Sequence, residues 1–558
     1  MWNWESDFKK FGLRIDKSST FNIGYEITDR MSEKGYGNKV AIICKSKSGK
    51  ESFLTYDFLS RESSQFADFL KHLGVSIGDR VFVYAERTPA FYTAILGILK
   101  RGAILGILFS SFGEDAIIDR LVDCKASTII VETALLDKVL RVKNSLSSLK
   151  NIIVINKEDA KDFNSRDTID FYQYKSFSEN YCCEGIFSDS PALINYTSGT
   201  TGKPKGVVHA HGLLVGSNST SKYVLGLQEN DIYLCTADTA WITGISYGVI
   251  GPLSNSVTTI SYEGLYSPRA IFDLIQQYGV TVLYTAPTLL RMMMTEKEST
   301  IRSYNFSTLR HIASIGEALN PKVIRWSQEF LGLPVNDTWF QTETGCIMIA
   351  TSASTDIVPG SMGKPIEPIQ AGILDESYSP LPDGTIGHLA IKSPWPSMFK
   401  TYWNAEDTYS SKFQNGWYIT GDKASKDTNG YFWFAGRNDD IINTAGHLIS
   451  PFEVESTLLE HIAVAESAVV GIPDTLLGEK IVAFIVLKPN LQPTTQLKIE
   501  LRSHVRKLLS PFAVPQEINI VKNVPKTKTG KIMRRMLREQ VLGGKNENLI
   551  GPDDFFEI

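Results

Sequence analysis

The sequence predicts an α/β protein with a large N-terminal domain of layered βαβ sheets and a small, mobile α+β C-terminal domain. With 558 residues, the chain exceeds the length that one hydrophobic core usually supports. Short apolar runs rich in β-branched residues alternate with amphipathic stretches over most of the chain, as in a largely parallel sheet covered by helices. After about residue 436 this alternation gives way to a shorter module, which indicates a second domain.

In the N-terminal third, the apolar runs at residues 39–43 and 80–84 predict two buried strands. Between them, residues 59–73 carry apolar side chains at helical spacing, and Gly74 suits the end of that helix. Residues 151–190 look polar and irregular, so we expect a surface segment there.

The middle third repeats the pattern. Ser267 followed by Pro268 predicts a helix start, and Gly279 a helix end before a strand at residues 280–284. Asn320 opens a similar helix that should end near Gly332. Parallel strands bind ligands beyond their carboxyl ends. Three segments at such ends are therefore candidates for a site: residues 285–288, 314–318 and 337–345.

A polar stretch from Gly436 to Asp440 suits a hinge. We therefore expect an N-terminal domain over residues 1–436, a hinge at 437–440 and a C-terminal domain over 441–558. In the latter, Ser450 and Glu453 form a capping box that opens a helix, and residues 466–486 contain two apolar runs.

The composition excludes several function classes. A formal net charge of −4 offers no electrostatic argument for a nucleic-acid partner. The six cysteines are scattered, which predicts free thiols in a reducing compartment and no zinc site. The N-terminus lacks the features of a signal peptide. The most apolar region, residues 94–109, is interrupted by Lys100 and Arg101 and is too short to cross a membrane. We expect a cytoplasmic protein without a membrane partner.

Residues 196–206 predict a loop that binds a polyphosphate. Its glycines let successive N–H groups point into one concavity, and its hydroxyls and lysines add donors and positive charge. It is not the common NTPase loop, because Pro204 follows Lys203 where that loop has Ser or Thr. The candidate ligands are Thr197, Ser198, Gly199, Thr200, Thr201, Gly202, Lys203 and Lys205.

This loop, with Val207-Val208-His209 after it, resembles the signature of the acyl-adenylate-forming superfamily, which includes acyl-CoA synthetases, peptide-synthetase adenylation domains and luciferases. The resemblance covers essentially the whole chain. The stretch from Asp238 to Gly244, with Tyr247 and residues 532–535, is similar to the short-chain acyl-CoA synthetase branch typified by acetyl-CoA synthetase. It implies an enzyme that uses ATP, Mg²⁺ and coenzyme A: a carboxylate and ATP give acyl-AMP and pyrophosphate, and CoA then takes the acyl group.

The resemblance assigns roles to individual residues. Glu343 would bind magnesium, for which one carboxylate with phosphate oxygens suffices, and Thr342 would reach the α-phosphate. Lys531 would be the catalytic lysine, bridging the carboxylate and the α-phosphate. Two further assignments place Asp422 on the ribose hydroxyls and Arg437 on ribose or phosphate. Asp439 would be the hinge residue. The walls of the adenine slot would be Gly316, Glu317, Ala318, Asp337, Thr338 and Trp339.

By the same match, the acyl pocket consists of Trp241, Ile242, Thr243, Ile315 and Phe340. Bulky walls predict a short acid such as acetate or propionate. Phe340 stands where acetyl-CoA synthetases usually carry a second tryptophan, which makes butyrate, 3-hydroxypropionate or 4-hydroxybutyrate credible. Gly446 and Arg506 would lie near CoA. Leu448 replaces the usual arginine or lysine, so His447 or another cation would have to compensate.

Four alternatives stay open: a medium-chain acid–CoA ligase, an adenylation enzyme that loads a carrier protein, a non-catalytic nucleotide-binding regulator and a luciferase-like oxidase. The sequence leaves the oligomeric state undetermined. A lysine acetyltransferase and a deacetylase acting on Lys531 are possible regulatory partners.

Overall fold

The computed structural model describes residues 6, 9–11, 20–156, 167–183, 185–197, 204–352, 355–437, 440–445, 447–489, 491–526 and 532–543. Within these residues, the strands form four sheets. Three of the sheets precede residue 438, and the fourth contains only strands after residue 440. This architecture confirms the predicted α/β fold class.

The first sheet has nine strands with a parallel centre and antiparallel edges. In spatial order, its strands are Lys364–Pro365, Ile349–Ala350, Val335–Trp339, His311–Ser314, Val282–Thr285, Ile232–Cys235, Thr258–Tyr262, Val40–Lys45 and Glu51–Thr55. Thr285 pairs with Ser314, and Ser314 with Asp337. The three segments that the sequence places at strand ends therefore lie side by side at one edge.

The second sheet has eight strands, of which the central ones are parallel. In spatial order, its strands are Thr401–Tyr402, Lys205–Ala210, Pro191–Thr197, Ile104–Ile107, Arg80–Tyr84, Thr128–Glu132, Asn151–Ile155 and Ile169–Asp170.

The third sheet is antiparallel and lies next in the chain. Its strands are Ala371–Leu374, Gly387–Lys392, Trp417–Lys426, Phe413–Gln414 and Phe432–Arg437. The fourth sheet forms the core of the C-terminal domain. Its strands are His447–Ile449, Ile442–Thr444, Gly478–Leu487, Val464–Asp474 and Glu517–Ile520.

Helices cover the faces of these sheets. The α-helices are Ile23–Glu26, Asp29–Met31, Tyr56–His72, Pro89–Arg101, Glu114–Asp123, Leu136–Val142, Leu213–Tyr223, Ile242–Ile245, Gly251–Ser254, Pro268–Tyr278, Pro287–Met293, Glu298–Ile301, Pro321–Phe330, Glu406–Ser411, Pro451–Glu460, Thr495–Leu508 and Arg534–Val541. Shorter 3₁₀ or π turns are Ser32–Tyr36, Thr133–Leu135, Lys143–Ser145, Phe171–Ser176, Ser246–Ile250 and Pro511–Ala513. None of the described helices is long and apolar enough to cross a membrane.

The predicted helix boundaries are confirmed where capping residues mark them. The Ser267 hydroxyl accepts a hydrogen bond from the Ala270 N–H at 3.2 Å, and Gly279 ends this helix at φ +63°. In the C-terminal domain, Ser450 accepts from the Glu453 N–H at 3.2 Å.

One local prediction was wrong. Residues 151–155 were expected to be part of an irregular surface segment, but they form a strand that pairs with Thr128–Glu132. Four of its five residues are buried. A short run of β-branched side chains is sufficient for a strand that is covered on both faces.

Candidate active site

The predicted phosphate loop joins two neighbouring strands. Pro191–Thr197 and Lys205–Ala210 are antiparallel, and Thr197 lies opposite Lys205. Of the predicted ligands, Ser198, Gly199, Thr200, Thr201, Gly202 and Lys203 fall outside the described residues. Thr197 and Lys205, the two predicted ligands that the structure describes, are therefore adjacent.

Glu343 is held next to this hairpin by a tyrosine that the sequence analysis missed. The Tyr402 hydroxyl donates to Glu343 Oε1 at 2.8 Å. Tyr402 itself pairs with Val207 on the hairpin strand. Burial and the adjacent Glu343 raise the pKa of the Tyr402 phenol, so it remains a donor at neutral pH.

A buried histidine ties Thr342 to the same strand. His209 Nε2 lies 2.7 Å from the Thr342 carbonyl oxygen, and a carbonyl only accepts, so this nitrogen carries the proton. Burial lowers the pKa of His209 to about 4, which keeps the ring neutral. The backbone of the Thr342–Glu343 pair is thus positioned by the strand that follows the phosphate loop.

Asp422 is a buried carboxylate with a fixed orientation. Its Oδ2 accepts from Trp339 Nε1 at 3.1 Å and from Gln341 Nε2 at 2.9 Å. Its Oδ1 lies 3.4 Å from Arg437 Nη1, and the two residues are paired across neighbouring strands. Asp422 raises the pKa of Arg437. Asp422 and Arg437, which are predicted to bind the ribose, and Trp339, which is predicted to line the adenine slot, therefore form one hydrogen-bonded group.

The other residues of the predicted adenine slot lie at the carboxyl ends of adjacent strands. Gly316 is exposed with φ +95°. The Glu317 carboxylate is already engaged, since Arg291 Nη2 binds it at 2.6 Å. Burial raises the pKa of Asp337, and the Thr338 hydroxyl donates to the Ser314 carbonyl at 2.8 Å. Ala318 is partly exposed.

The predicted acyl-pocket residues are buried or partly buried near this edge. Ile242, Ile315 and Phe340 belong to one hydrophobic cluster. The Phe340 ring packs edge-on against the Tyr247 ring, with 5.3 Å between the ring centroids. The Trp241 ring packs edge-on against Phe109 at 5.1 Å, and Thr243 follows in the short helix that Trp241 precedes.

The C-terminal predictions are only partly described. Lys531, Asp439 and Gly446 fall outside the described residues. The ends of the segment that carries Lys531 are anchored: Lys526 pairs with Glu466 at 2.6 Å, and Arg534 binds Glu455 through two bonds of 2.7 and 2.8 Å. Separately, Arg506 is exposed on the helix Thr495–Leu508, and Leu448 is 44% exposed. His447 stacks on Phe512 at 3.9 Å.

Sequence reasoning missed three residues that contribute to the site: Tyr402, Lys412 and the side chain of Gln341. Gln341 lies within the predicted site segment 337–345, so its side-chain amide could have been predicted as part of the site. Tyr402 and Lys412 belong to no motif, and only the tertiary structure brings Tyr402 to Glu343 and Lys412 to the backbone next to Asp422.

The residues of the site fit one hard cation, such as Mg²⁺, that is bound mainly by the phosphate oxygens of a nucleotide. The described residues contain no group of three or more His, Cys, Asp or Glu side chains that could hold a metal. Magnesium typically takes one or two carboxylates and completes its shell with water and phosphate oxygens. Glu343 lies beside the hairpin of Pro191–Thr197 and Lys205–Ala210, which we call the phosphate hairpin, and it is the carboxylate suited to binding such an ion.

Comparisons with known proteins identify the family. Residues 30–403 match the family model of the AMP-binding enzymes, and residues 453–531 match that of the AMP-binding enzyme C-terminal domain. Acetyl-coenzyme A synthetase of Bacillus subtilis (strain 168) is 42% identical over 93% of this chain and 90% of its own length. The acetyl-coenzyme A synthetase of Pyrobaculum arsenaticum is 39% identical over 94% of this chain and 83% of its own length.

A solved structure shows that the fold is shared as well. The anthranilate CoA ligase AuaEII, in complex with anthranoyl-AMP, aligns with a TM-score of 0.86 and 30% identity over 94% of this chain and 98% of that one. Because the family model spans most of the chain and the relatives cover nearly all of it, the chain belongs to the AMP-binding enzyme family.

Proposed function

We propose that the preferred substrate of this AMP-forming short-chain acyl-CoA synthetase is a short carboxylic acid such as acetate or propionate. The protein is a carboxylate–CoA ligase and uses ATP, Mg²⁺ and coenzyme A. Its relatives named acetyl-coenzyme A synthetase support the choice of acid.

The observation that carries the proposal is the fixed position of the Asp422 carboxylate and of the Thr342–Glu343 pair, the latter next to the phosphate hairpin of Pro191–Thr197 and Lys205–Ala210. Trp339 donates to the Asp422 carboxylate, Tyr402 donates to the Glu343 carboxylate, and His209 donates to the backbone carbonyl of Thr342. Such pre-oriented groups suit the binding of a nucleotide whose phosphates change charge during reaction.

We assign each nucleotide part to residues of this group. Asp422 and Arg437 would bind the ribose, and Glu343 would hold Mg²⁺ against the phosphates. The residues from Thr197 to Lys205 would bind the β- and γ-phosphates. Gly316, Ala318 and residues 337–339 would enclose the adenine, with Glu317 acting through its ion pair with Arg291. Lys531 would neutralise charge as pyrophosphate leaves.

The acyl pocket supports a small acid. Phe340 is packed against Tyr247, and the Tyr247 hydroxyl accepts from the Ile347 N–H at 2.7 Å. A wall held by both packing and hydrogen bonding resists displacement by a longer chain. Phe340 is smaller than tryptophan, so propionate and butyrate should compete well with acetate.

The domain division remains part of the proposal. We place the N-terminal domain at 1–436, the hinge at 437–440 and the C-terminal domain at 441–558. In support, Phe432–Arg437 belongs to the third sheet, and Ile442–Thr444 belongs to the fourth. Rotation about Asp439 would exchange Lys531 for the CoA-binding residues Gly446 and Arg506 at the acyl carbon.

AMP formation tests the proposal. The purified enzyme is assayed with MgATP and CoA across acetate, propionate, butyrate, 3-hydroxypropionate, 4-hydroxybutyrate, hexanoate and benzoate, with Lys531→Ala as the control. We expect the highest kcat/KM on acetate or propionate and none in the control. A preference for hexanoate or benzoate would show that the pocket is misplaced. Product formed only with a carrier protein, and not with free CoA, would refute the CoA ligase.

We also propose that the enzyme acts in the cytoplasm and that acetylation of Lys531 inactivates it. The proposed neutralising role of Lys531 supports this, because acetylation removes the positive charge. Mass spectrometry of the enzyme from cells grown under several carbon sources should find acetylated Lys531 in at least one. Exclusively unmodified peptide in all of them would refute this control.

A further inference from the structure

Lys412 is a partly buried lysine at the edge of the site. It follows the helix Glu406–Ser411 and precedes the strand Phe413–Gln414. Its backbone is fixed on both sides: its N–H donates to the Tyr409 carbonyl at 3.0 Å, and its carbonyl accepts from the Ile419 N–H at 2.8 Å. The side chain therefore projects from a rigid base.

The ammonium of Lys412 reaches the backbone next to Asp422. Its Nζ lies 3.8 Å from the position that a Cβ on Gly421 would take. The charged groups that act on its pKa are Glu343, Lys205, Arg437 and Asp422. These are the residues proposed above to bind Mg²⁺, the phosphates and the ribose.

The carboxylates beside Lys412 already have other partners. Tyr402 donates to Glu343, and Asp422 accepts from Trp339, Gln341 and Arg437. Among the residues that the structure describes, no hydrogen bond or salt bridge to Lys412 Nζ is formed. Burial lowers its pKa, and Glu343 only partly offsets this. An arriving anion would restore the lost solvation of this ammonium.

We propose that Lys412 binds the α-phosphate of ATP and then of acyl-AMP, and stays bound through both half-reactions. The α-phosphate is the anionic group expected between a ribose on Asp422 and a magnesium ion on Glu343, so this inference rests on the proposed function. Lys412 belongs to the N-terminal domain, whereas Lys531 belongs to the C-terminal domain and would leave the site when that domain turns. Lys412 would then be the cation that remains on the acyl-adenylate while CoA attacks.

This role also accounts for Leu448. Its side chain carries no charge and is 44% exposed, and its neighbour His447 is stacked on Phe512. Neither residue supplies the missing cation in this arrangement. Lys412 supplies positive charge from the opposite domain, and the third sheet holds it in place.

The test separates the two half-reactions. ATP–pyrophosphate exchange with the preferred acid reports adenylation, and CoA-dependent AMP release from supplied acyl-AMP reports thioester formation. Direct titration of AMP by calorimetry gives a readout without turnover. The variants are Lys412→Ala, Lys412→Gln, which keeps part of the stem, and Lys412→Arg, which keeps the charge. Lys426→Ala is the matched control, because Lys426 ends the strand that carries Asp422 and pairs with Asp383 at 2.9 Å.

We expect Lys412→Ala and Lys412→Gln to weaken AMP binding and slow both half-reactions by about 10- to 100-fold, as for the loss of a charged hydrogen bond. Lys412→Arg should retain most activity, and Lys426→Ala all of it. Lys531→Ala should slow only adenylation. Unchanged AMP binding in both uncharged variants, or a loss confined to adenylation, would overturn the inference. If instead the wild-type enzyme activates no acid, the proposed function fails.

Discussion

The hydrogen bond from the Tyr402 hydroxyl is the contact through which the position of Glu343 can be tested most specifically. Tyr402→Phe removes the 2.8 Å bond and leaves the ring in its aromatic cluster. We expect a higher Mg²⁺ concentration for half-maximal rate and a kcat lower by about tenfold, since the lost bond is to a charged group. Measuring AMP formation against Mg²⁺ tests this. Tyr409→Phe is the control, because Tyr409 packs on the same Phe399. Equal effects of the two changes would contradict the role of Tyr402.

Phe340 is the residue at which the acid preference should be adjustable. Phe340→Trp adds volume to a ring that contacts Tyr247 at 5.3 Å. We expect kcat/KM to fall for butyrate and to hold for acetate, with a change in their ratio of about tenfold per methylene. Competition assays with paired acids measure the ratio. A parallel loss for both acids, with a lower Tm, would indicate general overpacking and not a pocket wall.

Two buried histidines should make stability depend on pH. Burial lowers the pKa of His209 to about 4 and of His211 to about 3, from 6.5. Above pH 6.5 both histidines are neutral in the folded and in the unfolded chain, so their contribution to the free energy of unfolding is full there. As pH falls below 6.5, the two histidines become protonated in the unfolded chain, whereas in the folded chain they stay neutral until the pH approaches their lowered pKa values. Each histidine then costs about 1.4 kcal/mol of unfolding free energy per pH unit.

Burial also lowers the pKa of His311 to about 4, which adds to this loss, and raises the pKa of Glu26 to about 7, which opposes it. The test is therefore the difference between variants: thermal unfolding between pH 7.5 and pH 5 should show a smaller loss of stability at low pH in His211→Asn than in the wild type. Asparagine Oδ1 can replace His211 Nδ1, which accepts from the Ile23 N–H at 3.0 Å. An unchanged slope in this variant would rule out His211 as a source of the pH dependence.

At the scale of elements, the short helix Ile242–Ile245 depends on Gly244. A Cβ there would lie 2.0 Å from the Asp238 carbonyl oxygen, so Gly244→Ala must displace either the helix or the preceding turn. We expect a destabilisation of about 1–3 kcal/mol and a higher KM for the acid, because Trp241 caps this helix. Gly113→Ala is the control, since a Cβ on Gly113 meets nothing within 4 Å. Unaltered KM and Tm in Gly244→Ala would contradict the close packing.

The elements also show what the sequence could predict. Helix boundaries at Ser267, Gly279 and Ser450 were predictable because capping is local chemistry. The strand Asn151–Ile155 carries the same apolar signal as the predicted strands at residues 39–43 and 80–84, and it was missed because it opens a segment that is otherwise polar. Asp422, Glu343 and Arg437 were selected through a resemblance. Tyr402 and Lys412 were not predictable, because their contacts join segments far apart in the chain.

At the scale of the whole molecule, the helix Pro321–Phe330 of the N-terminal domain makes two polar contacts with the C-terminal helix Pro451–Glu460. Lys322 Nζ donates to the Leu459 carbonyl at 3.0 Å, and Arg325 lies 3.5 Å from Glu460. Both donors come from the helix Pro321–Phe330, directly after the adenine-slot segment. These contacts therefore stabilise one particular arrangement of the two domains.

Removing both contacts with Lys322→Ala and Arg325→Ala should shift the balance between the two arrangements required for adenylation and for thioester formation. Exposed pairs contribute about 1 kcal/mol or less each, so we expect changes of only a few-fold. The two half-reactions should change in opposite directions, because weakening one arrangement favours the other. Pyrophosphate exchange and CoA-dependent AMP release measure them separately. Arg302→Ala is the control, because its pair with Glu298 lies within one domain. If both half-reactions fall together, these contacts stabilise the fold and not a domain arrangement.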